Sequence, residues 1–222
     1  MNVVVFGASG MVGQGALREA IRDPDVARIV SVVRRPGGKT DPKVREVVHP
    51  DMSSFEAIAS ELRDLDACLF CLGQSSAGMT EAEYERVTYG IAIAAAEVLS
   101  RQNPEMTFVF VSGAGTDSTE KGKSMWARIK GKTENALMRM PFKAVYAFRP
   151  AAIRAMHGEV SRTTSYRVLY ALLAPVWILG DRLSTRYFTN TEKLGRAMMR
   201  AAKSGAPKQV LESADINALG GL

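Results

Sequence analysis

Cysteine is scarce in this chain of 222 residues, and its placement argues against a local disulfide or metal pair. Cys68 and Cys71 are the two cysteines, and both fall within one predicted strand at positions whose side chains point to opposite faces of the sheet. We therefore predict two buried thiols. Disulfides are rare in reducing compartments, and the N-terminus has no basic, apolar and small-residue pattern of a secretory signal, so we expect a cytoplasmic protein.

Long runs of one charge are also missing, although the formal net charge is +6 and the isoelectric point is near 9.4. The 29 lysines and arginines are spread along the chain without interleaved aromatic residues. This charge suits an anionic ligand, but its spread does not favour nucleic-acid binding. We expect a small-molecule substrate of unknown identity and no nucleic-acid partner.

The chain has no apolar stretch long enough to span a bilayer, so we expect no transmembrane segment. The stretch from Val168 to Leu179 is broken by Pro175 and closely bounded by Arg167 and Asp181. It favours a helix that is buried or packs against a second subunit in a homodimer. A membrane-surface contact and an apolar-substrate lid are the alternatives.

A glycine-rich turn follows the first predicted strand, Val3 to Phe6, and leads into a predicted helix from Met11 to Arg22. Its sequence is Gly7-Ala8-Ser9-Gly10-Met11-Val12-Gly13. In such a setting the first glycine permits a tight turn, the second lets a pyrophosphate approach, and the third lets the helix pack closely. An ordinary strand-to-helix turn is the alternative, because the spacing is G-x-x-G-x-x-G rather than the usual G-x-G-x-x-G.

The second predicted strand, from Ile29 to Val33, ends in two arginines, Arg34 and Arg35. An acidic side chain about twenty residues past the glycines binds the ribose 2′-hydroxyl of NAD(H), whereas an arginine suits the 2′-phosphate of NADP(H). The chain has no acid at this position, so it predicts NADP(H), with NADPH preferred over NADH. A solvated pair of loop arginines is the alternative.

Strands and helices alternate along the chain, which predicts an α/β fold: a Rossmann doubly wound parallel sheet with helices on both faces and a small C-terminal substrate-side region. The further predicted strands cover residues 44–48, 67–72, 107–111, 143–148 and 209–211, and the further helices cover residues 55–62, 81–101, 123–140 and 192–203. We predict a single domain over residues 1–222, with residues 151–190 as an insert of loops and a helix over the active-site crevice.

Several candidate residues follow predicted strands, at the edge where a doubly wound sheet binds its ligand. They are Asp51 and Met52 after the third strand, Leu72 and Gly73 at the end of the fourth, Ser112 after the fifth, and Pro150, Ala152 and Ile153 after the sixth. Asp51 either reaches an adenine amino group or helps to begin the next helix, where Ser53 and Glu56 have capping-box spacing. Glu134 lies four residues after Lys130, which favours an ion pair on a helix surface.

The glycine turn, the arginines after the second strand, Gly73, Ser112 and the Arg149-Pro150 pair together resemble the short-chain dehydrogenase superfamily. More narrowly, the chain is similar to the atypical, epimerase-like branch of NAD(P)-binding proteins, the group that includes the Tat-interacting protein of thirty kilodaltons. The run Ile129-Lys130-Gly131-Lys132-Thr133-Glu134 is similar to the Val-Lys-Gly-x-x-Glu run of those relatives. The resemblance covers almost all of residues 1–217.

The resemblance implies an active site with a serine, a tyrosine that moves the proton, and a lysine that binds the nicotinamide ribose. Ser112 and Lys130 match the serine and the lysine, and they are the implied catalytic residues. Trp126 stands at the tyrosine position, where an indole cannot act as an acid or base. Possible replacements are Tyr84, Tyr89, Tyr166, Tyr187 or a bound water, and His157 is a candidate for a substrate contact.

The expected cofactor-binding residues combine these motifs. They are Gly7, Ser9, Gly10, Met11, Val12, Gly13, Arg34, Arg35, Asp51, Met52, Leu72, Gly73, Lys130, Pro150, Ala152 and Ile153. The chain is therefore expected to be an NADP(H)-dependent oxidoreductase or epimerase-like enzyme. A catalytically silent NADP(H)-binding regulatory or interaction protein is the alternative, which Trp126 favours.

Overall fold

The apolar runs form a seven-stranded parallel sheet in a computed structural model that describes residues 1–38, 41–159 and 186–221. Its strands are β1 (Asn2–Phe6), β2 (Arg28–Val33), β3 (Val44–Val48), β4 (Ala67–Phe70), β5 (Thr107–Val111), β6 (Ala144–Arg149) and β9 (Val210–Glu212). Their spatial order is β3-β2-β1-β4-β5-β6-β9. The order reverses between β1 and β4, which is where a doubly wound sheet opens a ligand crevice at its carboxyl edge.

Helices cover both faces of the sheet, which confirms the predicted Rossmann architecture. On one face lie α1 (Met11–Arg22), α5 (Thr191–Ser204) and α6 (Ser213–Gly221); on the other lie a 3-10 segment (Glu56–Leu62), α3 (Ile91–Gln102) and α4 (Met125–Met138). Alternate residues of each strand enter the two cores, since successive side chains point to opposite faces. Val3 and Val5 pack on the first face, and Val4 and Phe6 pack on the second.

The two cysteines lie on opposite faces, as expected, but not within one strand. Cys68 is buried in the second core as predicted, whereas Cys71 follows the end of β4 at Phe70, packs against the first core and is only half-buried. Burial raises the pKa of the Cys71 thiol to about 12 and that of Cys68 well above its usual value. Both thiols are free and protonated at neutral pH.

Two predicted helices differ from the structure. The helix expected over residues 81–101 is divided into α2 (Glu81–Glu85), a π-helical turn (Arg86–Gly90) and α3. The sequence did not reveal this division, because the apolar stripe continues through the change in hydrogen-bond pattern. The helix expected over residues 55–62 is the 3-10 segment. There the Ser53 hydroxyl donates to Asp51 Oδ1 at 2.6 Å, so the predicted capping box does not form. The remaining bounds shift by one or two residues.

Beyond β6, two short strands, β7 (Ala152–Arg154) and β8 (Phe188–Asn190), pair in parallel as a separate small sheet. Residues 160–185, which include the predicted apolar helix and Tyr166, lie outside the described residues. The single domain with an insert over the crevice therefore stays a prediction. Within the described ranges, no helix has the length and apolar character needed to cross a membrane.

Candidate functional site

Two cavities flank the glycine turn at the carboxyl edge of the sheet. The larger, about 840 Å³, lies beside β2 and is here named the arginine cavity; the smaller, about 520 Å³, lies between β4 and β5 and is named the serine cavity. Of the predicted site residues, Ser9, Arg34 and Arg35 line the arginine cavity, and Gly10, Met11, Val12, Leu72, Gly73, Ser112, Lys130, Pro150 and Ile153 line the serine cavity. Residues that are distant in sequence thus meet along one crevice.

The glycine turn needs glycine at two positions for reasons internal to the chain. Gly7 has a φ of +80°, and a Cβ there would lie 2.8 Å from the backbone of Cys71 and Leu72. A Cβ on Gly13 would lie 2.0 Å from the Gly7 carbonyl oxygen. Gly10 is different, because among the described residues a Cβ there would meet only that same oxygen, at 3.5 Å. The described part of the chain therefore leaves space over Gly10, which fits the close approach of a pyrophosphate.

The N-terminus of α1 supplies hydrogen-bond donors beside this space. Its N-cap residue, Gly10, provides no side-chain cap, and the Gly10 amide donates to the Gly7 carbonyl at 2.9 Å. Met11 and Val12 begin the helix and line the serine cavity. The first amides of a helix have no intrahelical acceptor, and the helix dipole favours an anion at this end. No acidic side chain occupies the first turn, so the helix end fits a phosphate.

The arginine cavity contains a carboxylate that the sequence pattern did not reveal. Arg34 and Arg35 are exposed on its wall. Glu46 of β3 also lines the cavity, and its Oε2 accepts the Gly37 amide at 3.0 Å. The cavity therefore combines two guanidinium groups with one acid. Because the acid comes from the neighbouring strand rather than the end of β2, a search of the usual position misses it.

Ser112, Glu134 and Arg149 form a buried network at one end of the serine cavity. The Ser112 hydroxyl donates to Glu134 Oε1 and lies 3.2 Å from the Phe148 carbonyl oxygen. Arg149 Nε lies 3.0 and 3.2 Å from the two carboxylate oxygens of Glu134, and Arg149 Nη2 also donates to Oε2. The predicted surface ion pair between Glu134 and Lys130 is wrong. Glu134 is 1% exposed and pairs with Arg149, because Arg149 ends β6, the strand that neighbours β5, which Ser112 follows.

Lys130 is buried on the wall of the same cavity. Its Nζ donates to the Val111 carbonyl at 3.4 Å and lies 5.0 Å from the centre of the Phe110 ring. A Cβ on Gly73 would lie 3.8 Å from this Nζ, which places the amine beside the glycine that follows β4. Burial lowers the pKa of Lys130 to about 8, and the nearby Glu134 carboxylate partly opposes this shift. A lysine amine whose pKa lies near neutral pH is suited to hydrogen bonding and proton relay.

The structure separates the candidate tyrosines. Tyr84 of α2 is 3% exposed and lines the serine cavity together with Trp126. Tyr89 instead lies under the Lys132 amine, 4.7 Å from its ring centre, and Tyr187 is 54% exposed. Of the three candidates within the described ranges, Tyr84 alone is brought to Ser112 and Lys130. The sequence did not single it out because it lies on a different helix from Trp126.

Four other candidates are not brought to the cavities. Asp51 Oδ1 accepts the amide and hydroxyl of Ser53, which fits its alternative role at the start of the next segment, and Met52 packs against the second core. The Ala152 amide donates to the Tyr187 carbonyl at 2.9 Å. The His157 ring contacts Glu192 at 2.8 Å beside α1, away from the serine cavity. Each of these side chains or amides already has a structural partner.

Comparison with known proteins finds a matching family and several relatives of this chain. A protein family described as NAD(P)H-binding matches residues 7–200. The mitochondrial protein FMP52 of Candida albicans is 25% identical over 163 residues, which are 72% of this chain and 70% of that protein. FMP52 of Debaryomyces hansenii is 28% identical over 155 residues, or 69% of this chain and 67% of that protein.

These relatives contradict the expected cytoplasmic location. Their names assign them to the mitochondrion, as does the name of the Saccharomyces cerevisiae relative, which is 27% identical and covers 69% of this chain and 66% of its own length. The prediction is wrong because two thiols without a disulfide indicate a reducing environment but do not distinguish one reducing compartment from another.

Solved structures share the fold at low sequence identity. The Bordetella bronchiseptica enzyme WbmF in complex with NAD+ superposes with a TM-score of 0.68 at 16% identity and covers 98% of this chain and 76% of its own. The yeast methylglyoxal/isovaleraldehyde reductase Gre2, complexed with NADPH, gives 0.69 at 15% identity, with 95% and 77% covered. The nucleotides in these two complexes belong to those proteins; the likeness itself concerns the fold.

Proposed function

This chain belongs to the NAD(P)H-binding family, and from that membership we propose that it is an NADP(H)-dependent oxidoreductase or epimerase-like enzyme. The observation that carries the proposal is the meeting of Ser112, Lys130 and the N-terminus of α1 around the serine cavity, next to the space over Gly10. Family membership supports nucleotide binding, and the buried polar groups beside the nucleotide support a reaction there. The narrower likeness to the Tat-interacting relatives is part of this proposal.

Each part of the crevice has a proposed role toward the dinucleotide, which supplies the hydride donor or acceptor when it is bound. The first amides of α1 hold the pyrophosphate, and Arg34 with Arg35 neutralises the 2′-phosphate. Lys130 holds the nicotinamide ribose. The backbone from Pro150 to Ile153 faces the carboxamide, except that the amides of Ala151 and Ala152 already donate to the Ser213 hydroxyl and the Tyr187 carbonyl. Ser112 binds the reacting group of the substrate.

Tyr84 is the group we propose for proton transfer in place of the missing tyrosine. Its position on the wall of the serine cavity supports this role, since general acid–base catalysis requires reach to the substrate before a suitable pKa matters. The Trp126 indole on the same wall donates a hydrogen bond but does not ionise near neutral pH, so it cannot act as an acid or base. The reaction would then use an acid or base from α2 instead of α4.

A catalytically silent NADP(H)-binding protein is the second candidate, and the indole at position 126 favours it. The substitution Trp126→Tyr distinguishes the two functions. A silent protein gains carbonyl reduction with NADPH, measured by loss of absorbance at 340 nm against a panel of aldehydes and ketones. An enzyme that uses Tyr84 is active before the substitution and loses at least tenfold in rate on Tyr84→Phe.

Nucleotide titration tests the proposed cofactor. We expect NADPH to bind more tightly than NADH, and Arg34→Ala to weaken NADPH by about ten- to a hundred-fold while leaving NADH unchanged, because a charged hydrogen bond to phosphate contributes about 1.5–3 kcal/mol. Calorimetry measures both nucleotides. Arg45→Ala is the matched control, since Arg45 is an exposed arginine of β3 outside both cavities. Absence of binding by both nucleotides contradicts the proposal.

A further inference from the structure

We propose that Glu134 fixes Ser112 as a hydrogen-bond acceptor, so that the serine cavity recognises a hydroxyl group at the reacting position in preference to a carbonyl. Glu134 is then a positioning residue that acts through Ser112. The inference rests on the proposed function and deepens it, because it states the chemical class of substrate that the serine selects. A primary or secondary alcohol is the preferred ligand, and the corresponding aldehyde or ketone is the weaker one.

The proton of Ser112 has two acceptors within reach. A hydroxyl group has one proton to donate and two lone pairs that accept. Ser112 Oγ lies against Glu134 Oε1 and 3.2 Å from the Phe148 carbonyl oxygen. A carboxylate and a backbone carbonyl both accept and do not donate. The hydroxyl proton is therefore directed toward one of these two acceptors and away from the cavity.

Arg149 holds Glu134 as a carboxylate. Its two oxygens face the guanidinium of Arg149, which stays protonated and donates from Nε and Nη2. Glu134 is 1% exposed, so this pairing is not weakened by water. A hydrogen bond to an ionised acceptor is stronger than one to a neutral carbonyl. The carboxylate of Glu134 thus takes the proton of Ser112 in preference to the Phe148 carbonyl.

The direction of the Ser112 proton decides which ligand can pair with the serine. With its proton committed, Ser112 presents a lone pair to the serine cavity, where a ligand hydroxyl donates to it. A carbonyl oxygen at the same place would put its lone pair against the lone pair of Ser112 and form no hydrogen bond, unless the serine proton leaves the buried Glu134 carboxylate. Sites arranged to pair with one hydrogen-bonding group discriminate strongly against an analogue that cannot pair. A ketone would have to break the bond between the serine proton and the charged Glu134 carboxylate, and the loss of such a bond corresponds to about ten- to a hundred-fold in affinity.

Matched alcohol and ketone pairs test this preference. The probes are cyclohexanol with cyclohexanone and 1-phenylethanol with acetophenone, of a size that suits the 520 Å³ cavity. Each alcohol is titrated with saturating NADPH and each ketone with saturating NADP+, so that no turnover occurs. The measured quantity is the ratio of the two dissociation constants. The difference in cofactor cancels when this ratio is compared between variants.

We expect the wild-type protein to bind the alcohols about ten- to a hundred-fold more tightly than the ketones. In Glu134→Gln, the amide oxygen keeps Arg149 while the amide nitrogen donates to Ser112, so the serine proton loses its charged acceptor and only the neutral Phe148 carbonyl competes with a ligand carbonyl for it. The ratio should then fall to about one or below. Ser112→Ala removes the hydroxyl through which Glu134 acts and leaves the Glu134–Arg149 ion pair in place. The ratio of dissociation constants should therefore also fall to about one in this variant, which keeps the test valid if Glu134→Gln is destabilised.

Glu212→Gln is the matched control. Glu212 Oε1 lies 3.7 Å from Arg149 Nη1, and its substitution removes one negative charge near the same guanidinium without touching Ser112, so the ratio should not change. A wild-type ratio near one, tighter ketone binding, failure of both probe pairs to bind at millimolar concentration, or an unchanged ratio in Glu134→Gln overturns the inference. If nucleotides still bind in that case, the inference alone fails. If no nucleotide binds, the proposed function fails.

Discussion

The serine cavity and the arginine cavity both use charged side chains, but they hold these charges in opposite ways. Lys130 on the wall of the serine cavity is 6% exposed, and Glu134 and Arg149, which lie behind Ser112, are 1% and 9% exposed. Arg34 and Arg35 of the arginine cavity are exposed to solvent. Buried charges need fixed partners, so they set the direction of each hydrogen bond. Exposed charges keep their hydration and adjust to a ligand.

This contrast predicts different costs of substitution in the two cavities. Removing one partner of a buried pair leaves an uncompensated charge, which is strongly destabilising. Removing an exposed arginine changes stability little and acts mainly on ligand affinity. Under the proposed function, the serine cavity would act on the reacting group and the arginine cavity on the choice and affinity of the nucleotide. The following substitutions test this division in order of decreasing effect.

Arg149→Met should give the largest effect, a loss of about 3–5 kcal/mol in the free energy of unfolding, because the Glu134 carboxylate stays buried without its cation. Arg35→Met in the arginine cavity should change this quantity by no more than about 0.5 kcal/mol. Urea denaturation measures both. The double variant Arg149→Met with Glu134→Leu should recover most of the loss. Equal effects of the two arginine substitutions would remove the distinction between the cavities.

Lys130 should make stability depend on pH. Its pKa is about 8 in the folded protein and about 10.5 when unfolded, so the unfolded chain holds a proton that the folded chain has lost between these values. The free energy of unfolding therefore gains about 3 kcal/mol as the pH rises from about 8 to 10.5. Lys130→Met should abolish this gain and stabilise the protein below pH 8, measured by denaturation across that range.

Lys132→Met is the control for this effect. Lys132 lies two residues further along α4 and pairs with Glu85 at the surface, where that pairing raises the pKa of the lysine. Its substitution should leave the gain between pH 8 and 10.5 in place. If the gain persists in Lys130→Met, a different group is responsible, and Lys130 is not the buried cation that distinguishes the serine cavity.

Glu46→Gln should give the smallest effect, a two- to five-fold increase in NADPH affinity, because an exposed charge interaction contributes about 0.5–1 kcal/mol. The acid lies with Arg34 and Arg35 in one cavity and opposes the added phosphate. NADH affinity should not change. Calorimetry at low salt measures the gain, and added salt should remove it through screening. An equal gain for NADH would show that Glu46 acts on the adenosine rather than on the phosphate.

Glu61→Gln serves as the control for Glu46. Glu61 pairs with Arg45 outside the cavity, so its substitution removes the same charge without changing the surroundings of the phosphate. It should leave the affinities of both nucleotides unchanged. A similar gain in this variant would attribute the effect to net charge alone.

Most of the fold followed from sequence because its signals are local. Continuous β-branched and apolar runs predicted the seven parallel strands of the large sheet within one or two residues, and glycine, asparagine or proline marked many of the turns. The π-helical turn at Arg86–Gly90 was missed because one shifted hydrogen bond leaves the apolar stripe nearly unchanged. The pair β7 and β8 was missed because both strands are short and fall within residues 151–190, where loops and a helix were expected.

The sequence alone determined the glycine turn and the position of the crevice. Gly7 and Gly13 are required by contacts within a few residues or with the adjacent strand, and alternation of strands and helices places the ends of the parallel strands together. Only the tertiary structure decided the partners inside the crevice. Glu134 bonds to Ser112 and Arg149 rather than to Lys130, because β5 and β6 are neighbours and carry both residues to one buried point. Helical spacing shows which side chains share a face, but burial and strand order decide which of them meet.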